Sequence, residues 1–256
     1  MKNLHRGQKL LGIFWRKRDN IRSLCLDLTC YLEELSHIWI IMGISVCMII
    51  IQPKKNGDIP KDYFKWWGFE DQKLYSFAKK AITNMAKEDQ PFSVSLMTMD
   101  LHFTGGYVCD QCQRKHDSTY QDVLNCASRQ VAEFVSWIQK QDFYDGGTIV
   151  ITGDHPTMDK SFIGEYYDGS KARKVYNCII NAPIKTDYEK NRKFNTFDFY
   201  PTVIAALGAR IDGNRLGLGT NLFSGEKTLA EKYGYDKIDT EFAKKSTFYN
   251  EYIWEE

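Results

Sequence analysis

The most informative stretch of the sequence is Thr148-Ile149-Val150-Ile151-Thr152-Gly153-Asp154-His155-Pro156. Its β-branched run predicts a buried strand, and the proline after it cannot continue a sheet ladder. Asp154 and His155 therefore follow the carboxyl end of a strand. In open α/β sheets ligands bind outside those ends, so a carboxylate and an imidazole there indicate a cation site for a phosphate or sulfate ester. The alternative is a turn in which both side chains are only solvated.

A second strand is expected to bring polar side chains to the same edge of the sheet. The run Phe92 to Met99 is typical of a strand, and Asp100 and His102 come directly after its end. The apolar spacing in Tyr120 to Gln141 predicts a crossover helix that leads to the next strand. We therefore expect His102 to lie near Asp154 and His155. Asp100 is interpreted as a loop carboxylate, with a residue that orients a site side chain as the alternative.

The rest of the chain alternates between helical and strand patterns. The predicted helices are Asp71 to Lys87 and Thr196 to Leu207, the second with Thr196 as a possible cap, and Val175 to Asn181 is a further predicted strand. Asp159, close to the Asp154-His155 turn, is expected to be a surface carboxylate. The sequence predicts an α/β fold with a mainly parallel sheet sandwiched by helices.

Four stretches in this order resemble a known family. They are Ser95-Leu96-Met97-Thr98-Met99-Asp100-Leu101-His102-Phe103, Thr152-Gly153-Asp154-His155, Phe197-Asp198-Phe199-Tyr200-Pro201-Thr202, and Gly217-Leu218-Gly219-Thr220-Asn221-Leu222-Phe223. The chain from about Gly57 to Leu229 resembles the sulfatase-like branch of the alkaline phosphatase superfamily, and within it the lipoteichoic-acid synthase and phosphoglycerol transferase group. The order and spacing of the four stretches are more specific than any one of them.

The resemblance implies roles for three residues. Asp154 and His155 would bind a catalytic divalent metal (Mn, Mg or Zn), and His102 would help to hold the substrate phosphate. The implied reaction is metal-dependent transfer of a phosphoglycerol or similar phospho-group to a cell-envelope glycolipid or polymer, through a covalent threonine intermediate. In the family, the nucleophilic Thr and a Glu ligand lie upstream of these stretches, and no residue of this chain matches either one. We therefore assign no catalytic residue and expect the isolated chain to be inactive.

Two other functions remain open from the sequence. One is hydrolysis of a sulfuric or phosphoric ester, and the other is a non-catalytic, Cys-clamped binding module. The partner implied by the resemblance is an anionic membrane lipid head group or an envelope polymer, at the extracytoplasmic face of the cell membrane. Because 34 basic residues balance 33 acidic ones, with a formal net charge of +1, no global field favours nucleic acid as a partner.

Three cysteines lie close together in the sequence around a predicted loop. Cys109-x-x-Cys112 suits half a zinc site or a redox pair, but no second pair follows at zinc-finger spacing. The resemblance implies an oxidising compartment, where a disulfide from Cys109 or Cys112 to Cys126 is favoured. The sequence does not choose between the two connectivities.

Residues 1–53 form an atypical segment, and residues 54–256 form the expected carboxyl-terminal part of a sulfatase-like catalytic domain. The apolar run Ile38 to Ile51 is shorter than a span of about 20 residues and has no helical or strand periodicity. Codons for Leu24 to Pro53, taken from the third base, can encode an F-G-G…H-G-N…Y-D-Y-Y stretch like the one that precedes Gly57 in the family. We therefore predict that the segment is out of frame, with a weak membrane anchor as the alternative, and that it makes few contacts beyond Asp58.

Overall fold

The structure is a computed structural model that describes residues 9–15, 22–26, 46–48, 51–88, 91–188 and 190–252, the first three stretches by their backbone alone. The chain divides into two compact units, Met1–Asn181 and Ala182–Glu256. The elements of the first unit are β1 (Lys9–Trp15), β2 (Arg22–Leu26), β3 (Val46–Met48), α1 (Ile51–Asn56), α2 (Asp71–Met85), β4 (Phe92–Met97), α3 (Thr119–Ile138), β5 (Gly147–Gly153), α4 (Lys160–Tyr166) and β6 (Asn177–Ile180). Those of the second are α5 (Thr196–Ala206), β7 (Arg215–Leu216), β8 (Gly219–Thr220), α6 (Leu229–Tyr233), α7 (Tyr235–Phe242) and α8 (Thr247–Tyr252).

The first unit is built on a six-stranded sheet with the order β3-β2-β4-β1-β5-β6. Neighbours are parallel from β3 through β2 to β4, whereas β1 is antiparallel to both β4 and β5 and β6 is antiparallel to β5. Four strands thus run one way and two the other. The α/β class is confirmed, but the pairing of neighbouring strands is more mixed than a mainly parallel sheet.

The directions of β4 and β5 decide where the candidate site residues lie. Because each of them is antiparallel to β1, β4 and β5 point the same way and end at the same edge of the sheet. This confirms the expectation that two strands deliver polar residues to one edge. The residues after Met97 and after Gly153 are therefore brought to that edge together.

Helices α2 and α3 cover the sheet with one apolar face each. In α2 the residues Leu74, Ala78 and Ile82 repeat every fourth position and are fully buried, as an amphipathic helix requires. In α3, Phe134 and Ile138 are four positions apart and are also buried. Both helices belong to one core cluster with residues of the sheet, namely Val94, Leu96, Ile149 and Ile151. These helices and the predicted strands end within three residues of the positions expected from the pattern.

The expectation of few contacts between residues 1–53 and the rest of the chain is wrong. β1 pairs along its whole length with β5 and over five residues with β4, and β2 pairs with β4. β1 and β2 have ladder partners on both sides, and β3 pairs with β2 at the edge of the sheet. The segment therefore supplies three of the six strands. Most of the run Ile38 to Ile51 lies outside the described residues, and the reading-frame hypothesis stays a prediction.

In the second unit a buried carboxylate fixes the start of α5. The N-cap is Asn195 and not Thr196: the Asn195 and Asp198 side chains form a reciprocal capping box. Asp198, which is fully buried, also accepts the backbone N–H of Thr220 at 2.7 Å. A Cβ on Gly219 would lie 2.1 Å from the carbonyl oxygen of Phe197, so this close approach needs glycine.

Candidate active site

Asp154 and His155 directly follow β5 and hold their ligand atoms close together. The Nε2 atom of His155 lies 3.3 Å from Oδ2 of Asp154, and the side chains are 43% and 41% exposed. The backbone N–H of His155 donates to Oδ1 of Asp154 at 2.8 Å, which turns Oδ2 toward the imidazole. The turn is therefore an open, solvent-facing pair of possible ligand atoms.

The backbone also sets the tautomer of His155. Its Nδ1 lies 2.9 Å from the carbonyl oxygen of Pro156. A carbonyl oxygen only accepts, so Nδ1 carries the proton and Nε2 of the neutral ring keeps its lone pair. An imidazole oriented by a carbonyl in this way is the usual arrangement of a metal-binding histidine.

His102 follows β4 and is held between aromatic rings. Its ring centroid lies 4.4 Å from that of Trp67 and 4.9 Å from that of Phe103. Its Nδ1 is 2.7 Å from the carbonyl oxygen of Phe103, so Nδ1 is again the donor. Stacking and this hydrogen bond fix the plane of the ring and leave Nε2 for a ligand, to which it can donate only as an imidazolium.

One tyrosine ties the two site loops together. The hydroxyl of Tyr120, at the start of α3, donates to the carbonyl oxygen of Leu101 at 2.9 Å and lies 2.8 Å from Oγ1 of Thr157. Tyr120 and Thr157 are buried, and burial raises the pKa of the phenol. The loop carrying His102 and the loop carrying His155 therefore share a buried hydrogen-bonded centre.

Asp159 makes a second tie between the same loops. It is 3% exposed, so the expectation of a surface carboxylate is wrong. One carboxylate oxygen accepts the N–H of Phe162 at 2.9 Å and caps α4, and the other accepts the N–H of Gly105 at 2.7 Å. An aspartate directly before a helix is an N-cap signal that could have found this residue.

Asp100 lies in the turn after β4, as expected, but its side chain is buried. Its Oδ1 accepts the N–H of Asp71 at 3.2 Å, and Oδ1 of Asp71 accepts the N–H of Met99 at 2.7 Å. Burial, and then the nearby charge of Asp71, raise the pKa of Asp100 to about 9. A carboxyl that keeps its proton can pack beside a second carboxyl with less charge repulsion than an ionised one.

The three cysteines also meet in space. The Sγ atoms of Cys109, Cys112 and Cys126 all lie within 4.8 Å of one another, and the three are free thiols. Burial raises the pKa of Cys112 to about 11. The disulfide pairing implied by the resemblance stays a prediction.

Within the part of the chain that the structure describes, this cysteine cluster is the one convergent group of three or more possible metal-binding side chains. Asp154 and His155 are thus joined by no third His, Cys, Asp or Glu among the described residues. The structure brings the predicted pair together and ties it to the loop of His102. Tyr120 and Thr157 were missed, because a hydroxyl that links two loops leaves no local pattern in a sequence.

Comparison with known proteins assigns this chain to a family. A family model described as Sulfatase matches residues 46–209, which is more than half of the chain. The match begins ahead of Gly57, where the sequence resemblance begins. The matched residues include three of the four stretches on which the resemblance was based, and the fourth, which begins at Gly217, lies beyond them.

Two curated relatives are enzymes called phosphoglycerol transferase I. The protein of Salmonella choleraesuis (strain SC-B67) is 27% identical over 173 residues, covering 65% of this chain and 22% of that protein. The protein of Escherichia coli (strain 55989 / EAEC) is 27% identical over 183 residues, covering 65% of this chain and 23% of that protein. This chain thus spans less than a quarter of the length of these relatives.

A solved structure shows the same fold. A protein in the alkaline phosphatase superfamily from Vibrio parahaemolyticus superposes with a TM-score of 0.54 at 17% identity, over 73% of this chain and 44% of that chain. Among the described helices, none is both long and apolar enough to cross a bilayer.

Proposed function

Because this chain belongs to the sulfatase family, we propose that it forms part of a metal-dependent transferase that moves a phosphoglycerol or similar phospho-group from a membrane lipid to an envelope glycolipid or polymer. The observation that carries the proposal is the paired presentation of Asp154 Oδ2 and His155 Nε2 at the end of β5. The similarity to two phosphoglycerol transferases supports the choice of phospho-group.

The ligand pair fits a divalent cation. Two atoms bound to one cation at about 2.1 Å lie about 3.0 to 3.4 Å apart at right-angled to tetrahedral geometry. The separation of 3.3 Å between Oδ2 of Asp154 and Nε2 of His155 falls in that range. An oxygen and an imidazole suit Mn, Mg or Zn, and such a cation would polarise a phosphoryl oxygen.

His102 is the proposed contact for the substrate phosphate. Its Nδ1 proton is engaged by the carbonyl of Phe103, so Nε2 donates to a phosphate oxygen in the imidazolium form. Trp67 and Phe103 prevent the ring from turning, which keeps the donor pointed in one direction.

The chain on its own is proposed to bind metal weakly and to be inactive. Asp154 and His155 supply two ligands, and among the described residues no third such side chain joins them. A metal that activates a nucleophile needs more than two protein ligands. A further proposal is that an anionic lipid head group meets this site at the extracytoplasmic face of the membrane.

Phosphorus relaxation measurements test this proposal. Glycerol 1-phosphate is titrated into the chain with Mn²⁺, and the ³¹P relaxation rate is compared with that in Mn²⁺ alone. We expect an enhancement that is lost in Asp154→Ala and is reduced several-fold in His102→Gln, while His102→Gln still binds Mn²⁺. The matched control is His116→Gln, which removes a histidine that precedes α3 and pairs with Asp122 of that helix.

Three outcomes would contradict it. An enhancement unchanged in Asp154→Ala removes the metal assignment. Turnover of aryl phosphate or aryl sulfate by the chain, lost in Asp154→Ala, would favour the ester-hydrolase alternative, and absence of any phosphate or metal effect would favour the non-catalytic module.

A further inference from the structure

We propose that Cys109, Cys112 and Cys126 form a binding site for a thiophilic divalent cation such as Zn²⁺, separate from the Asp154-His155 pair. The three sulfurs come from a tight turn and from one face of α3. They are the one convergent group of three or more possible metal-binding side chains among the residues that the structure describes. The inference does not depend on the proposed function.

The distances between the sulfurs suit a shared cation better than a covalent pair. Sγ of Cys109 lies 3.6 Å from Sγ of Cys112 and 3.7 Å from Sγ of Cys126. Two sulfurs bound to Zn²⁺ at about 2.3 Å in a tetrahedron lie about 3.8 Å apart. A disulfide, with sulfurs about 2.05 Å apart, would use two of the three atoms and leave the third unexplained.

The turn that carries two of the ligands has the form of a zinc knuckle. The N–H of Cys112 donates to the carbonyl oxygen of Cys109 at 2.9 Å, which closes the Cys-x-x-Cys turn and aims both side chains the same way. Such turns supply two of the ligands in many structural zinc sites.

Polar groups around the sulfurs suit thiolates. The Nε2 group of Gln130, a residue 4% exposed, donates to Sγ of Cys109 at 3.3 Å and to Sγ of Cys126 at 3.4 Å. The guanidinium of Arg129 donates to Sγ of Cys126 at 3.6 Å. Three thiolates with one divalent cation carry a net charge of −1, and the guanidinium of Arg129 balances that charge. N–H groups that donate to sulfur are usual around metal-bound thiolates.

The fourth position is left for a water molecule, and the role we infer is structural. The cluster joins the loop after His102 to α3, on the same loop that Asp159 holds through Gly105. The guanidinium of Arg129 also bonds the carbonyl oxygen of Gln111, so helix and turn already meet there. A cation would lock that junction without a covalent bond.

Cobalt spectroscopy on the full chain, purified under reducing conditions, tests the site. We expect one Zn²⁺ per chain and, with Co²⁺, thiolate-to-metal charge-transfer absorption. Cys112→Ser should weaken Zn²⁺ binding by about 100-fold or more, since even lost outer contacts cost about 10- to 100-fold. Cys112→His should retain the metal with an altered cobalt spectrum. A cysteine that binds no metal would not give that effect.

Two controls separate this site from others. Cys178→Ser, at a cysteine on β6 outside the cluster, should leave the cobalt spectrum unchanged. Asp154→Ala should also leave it unchanged, so failure of the proposed function and failure of this inference are distinguishable. A chain that carries no Zn²⁺ and alkylates at all three cysteines, or one whose peptide map shows a bond between Cys126 and Cys109 or Cys112 after purification without oxidant, would overturn the inference.

Discussion

The hydroxyl of Tyr120 is a single group on which the geometry of two loops depends. Tyr120→Phe removes the donor to Leu101 and the contact with Thr157, and both partners stay buried. Leaving buried polar groups unpaired costs about 1 to 3 kcal/mol. We expect a fall of that size in the free energy of unfolding, measured by urea titration, together with weaker Mn²⁺ binding.

The matched control for this substitution is Tyr144→Phe. Tyr144 receives one long hydrogen bond, 3.4 Å from an exposed glutamine, so its loss should change the free energy of unfolding very little. Equal stability of Tyr120→Phe and wild type would show that the hydroxyl does not hold the loops.

Asp100 gives the fold a dependence on pH. Its carboxyl has a pKa of about 9 in the folded chain against an ordinary value of 3.8. Between these values the folded chain keeps a proton that the unfolded chain releases, so this group's contribution to stability falls as the pH rises from about 4 to about 9. Asp100→Asn keeps an oxygen that can accept the N–H of Asp71 and removes the titration.

We therefore expect Asp100→Asn to flatten the fall in the free energy of unfolding between about pH 5 and pH 8.5. The control is Asp142→Asn, which removes an exposed carboxylate and should leave the slope as it is in wild type. A slope in Asp100→Asn equal to that of wild type would contradict the assignment.

At the residue scale the sequence predicted where Asp154 and His155 lie, but not the side chains that support their loop. Asp154, His155 and His102 follow strands, and a strand's end is visible in a local pattern. Burial of Asp100 and Tyr120 depends on packing between distant segments, which no local pattern contains.

At the scale of elements, α4 is a short helix whose start depends on one side chain. Asp159→Ala removes the cap on Phe162 and the bond to Gly105. Loss of a cap and of a second buried hydrogen bond should lower the free energy of unfolding by about 1 to 3 kcal/mol. Asp159→Asn can accept only one of the two hydrogen bonds. Its free energy of unfolding should therefore lie between those of wild type and Asp159→Ala.

The control for the cap is Asp187→Ala, at an exposed aspartate in the second unit. It should unfold at the wild-type urea concentration. If Asp159→Ala also unfolds at the wild-type urea concentration, the carboxylate neither caps α4 nor holds the loop.

Apolar patterns predicted α2, β4, α3, β5, β6 and α5, and the buried residues Leu74, Ala78 and Ile82 show the regular apolar face of α2. They did not predict β1, nor the short elements α4, β7 and β8. The run Lys9–Trp15 is mostly apolar with a glycine inside, and its partners β4 and β5 lie far away in sequence. Such non-local pairing fixes the strand's place without leaving a local signal.

At the scale of the whole molecule, the place of β1 makes the amino-terminal segment part of the fold. Deleting residues 1–53 removes β1, β2 and β3 and separates β4 from β5. We expect the shortened chain to lose its cooperative thermal transition, followed by circular dichroism. A shortened chain that melts at the wild-type temperature would support the original expectation of a segment outside the fold.

The reading-frame hypothesis has its own test. The nucleotide sequence for Leu24 to Pro53, translated from the third base, should give the family-like F-G-G…H-G-N…Y-D-Y-Y stretch. Stop codons in that frame would reject it and leave an in-frame segment that pairs with β4 and β5 as the explanation.

The central claim is that Asp154 and His155 hold a divalent cation at the end of β5. Anomalous diffraction from crystals soaked in Mn²⁺ tests it most directly. We expect a peak about 2.1 Å from both Oδ2 of Asp154 and Nε2 of His155, absent in crystals of Asp154→Ala. A map with no peak at this turn, or a peak that remains in Asp154→Ala, would contradict the claim.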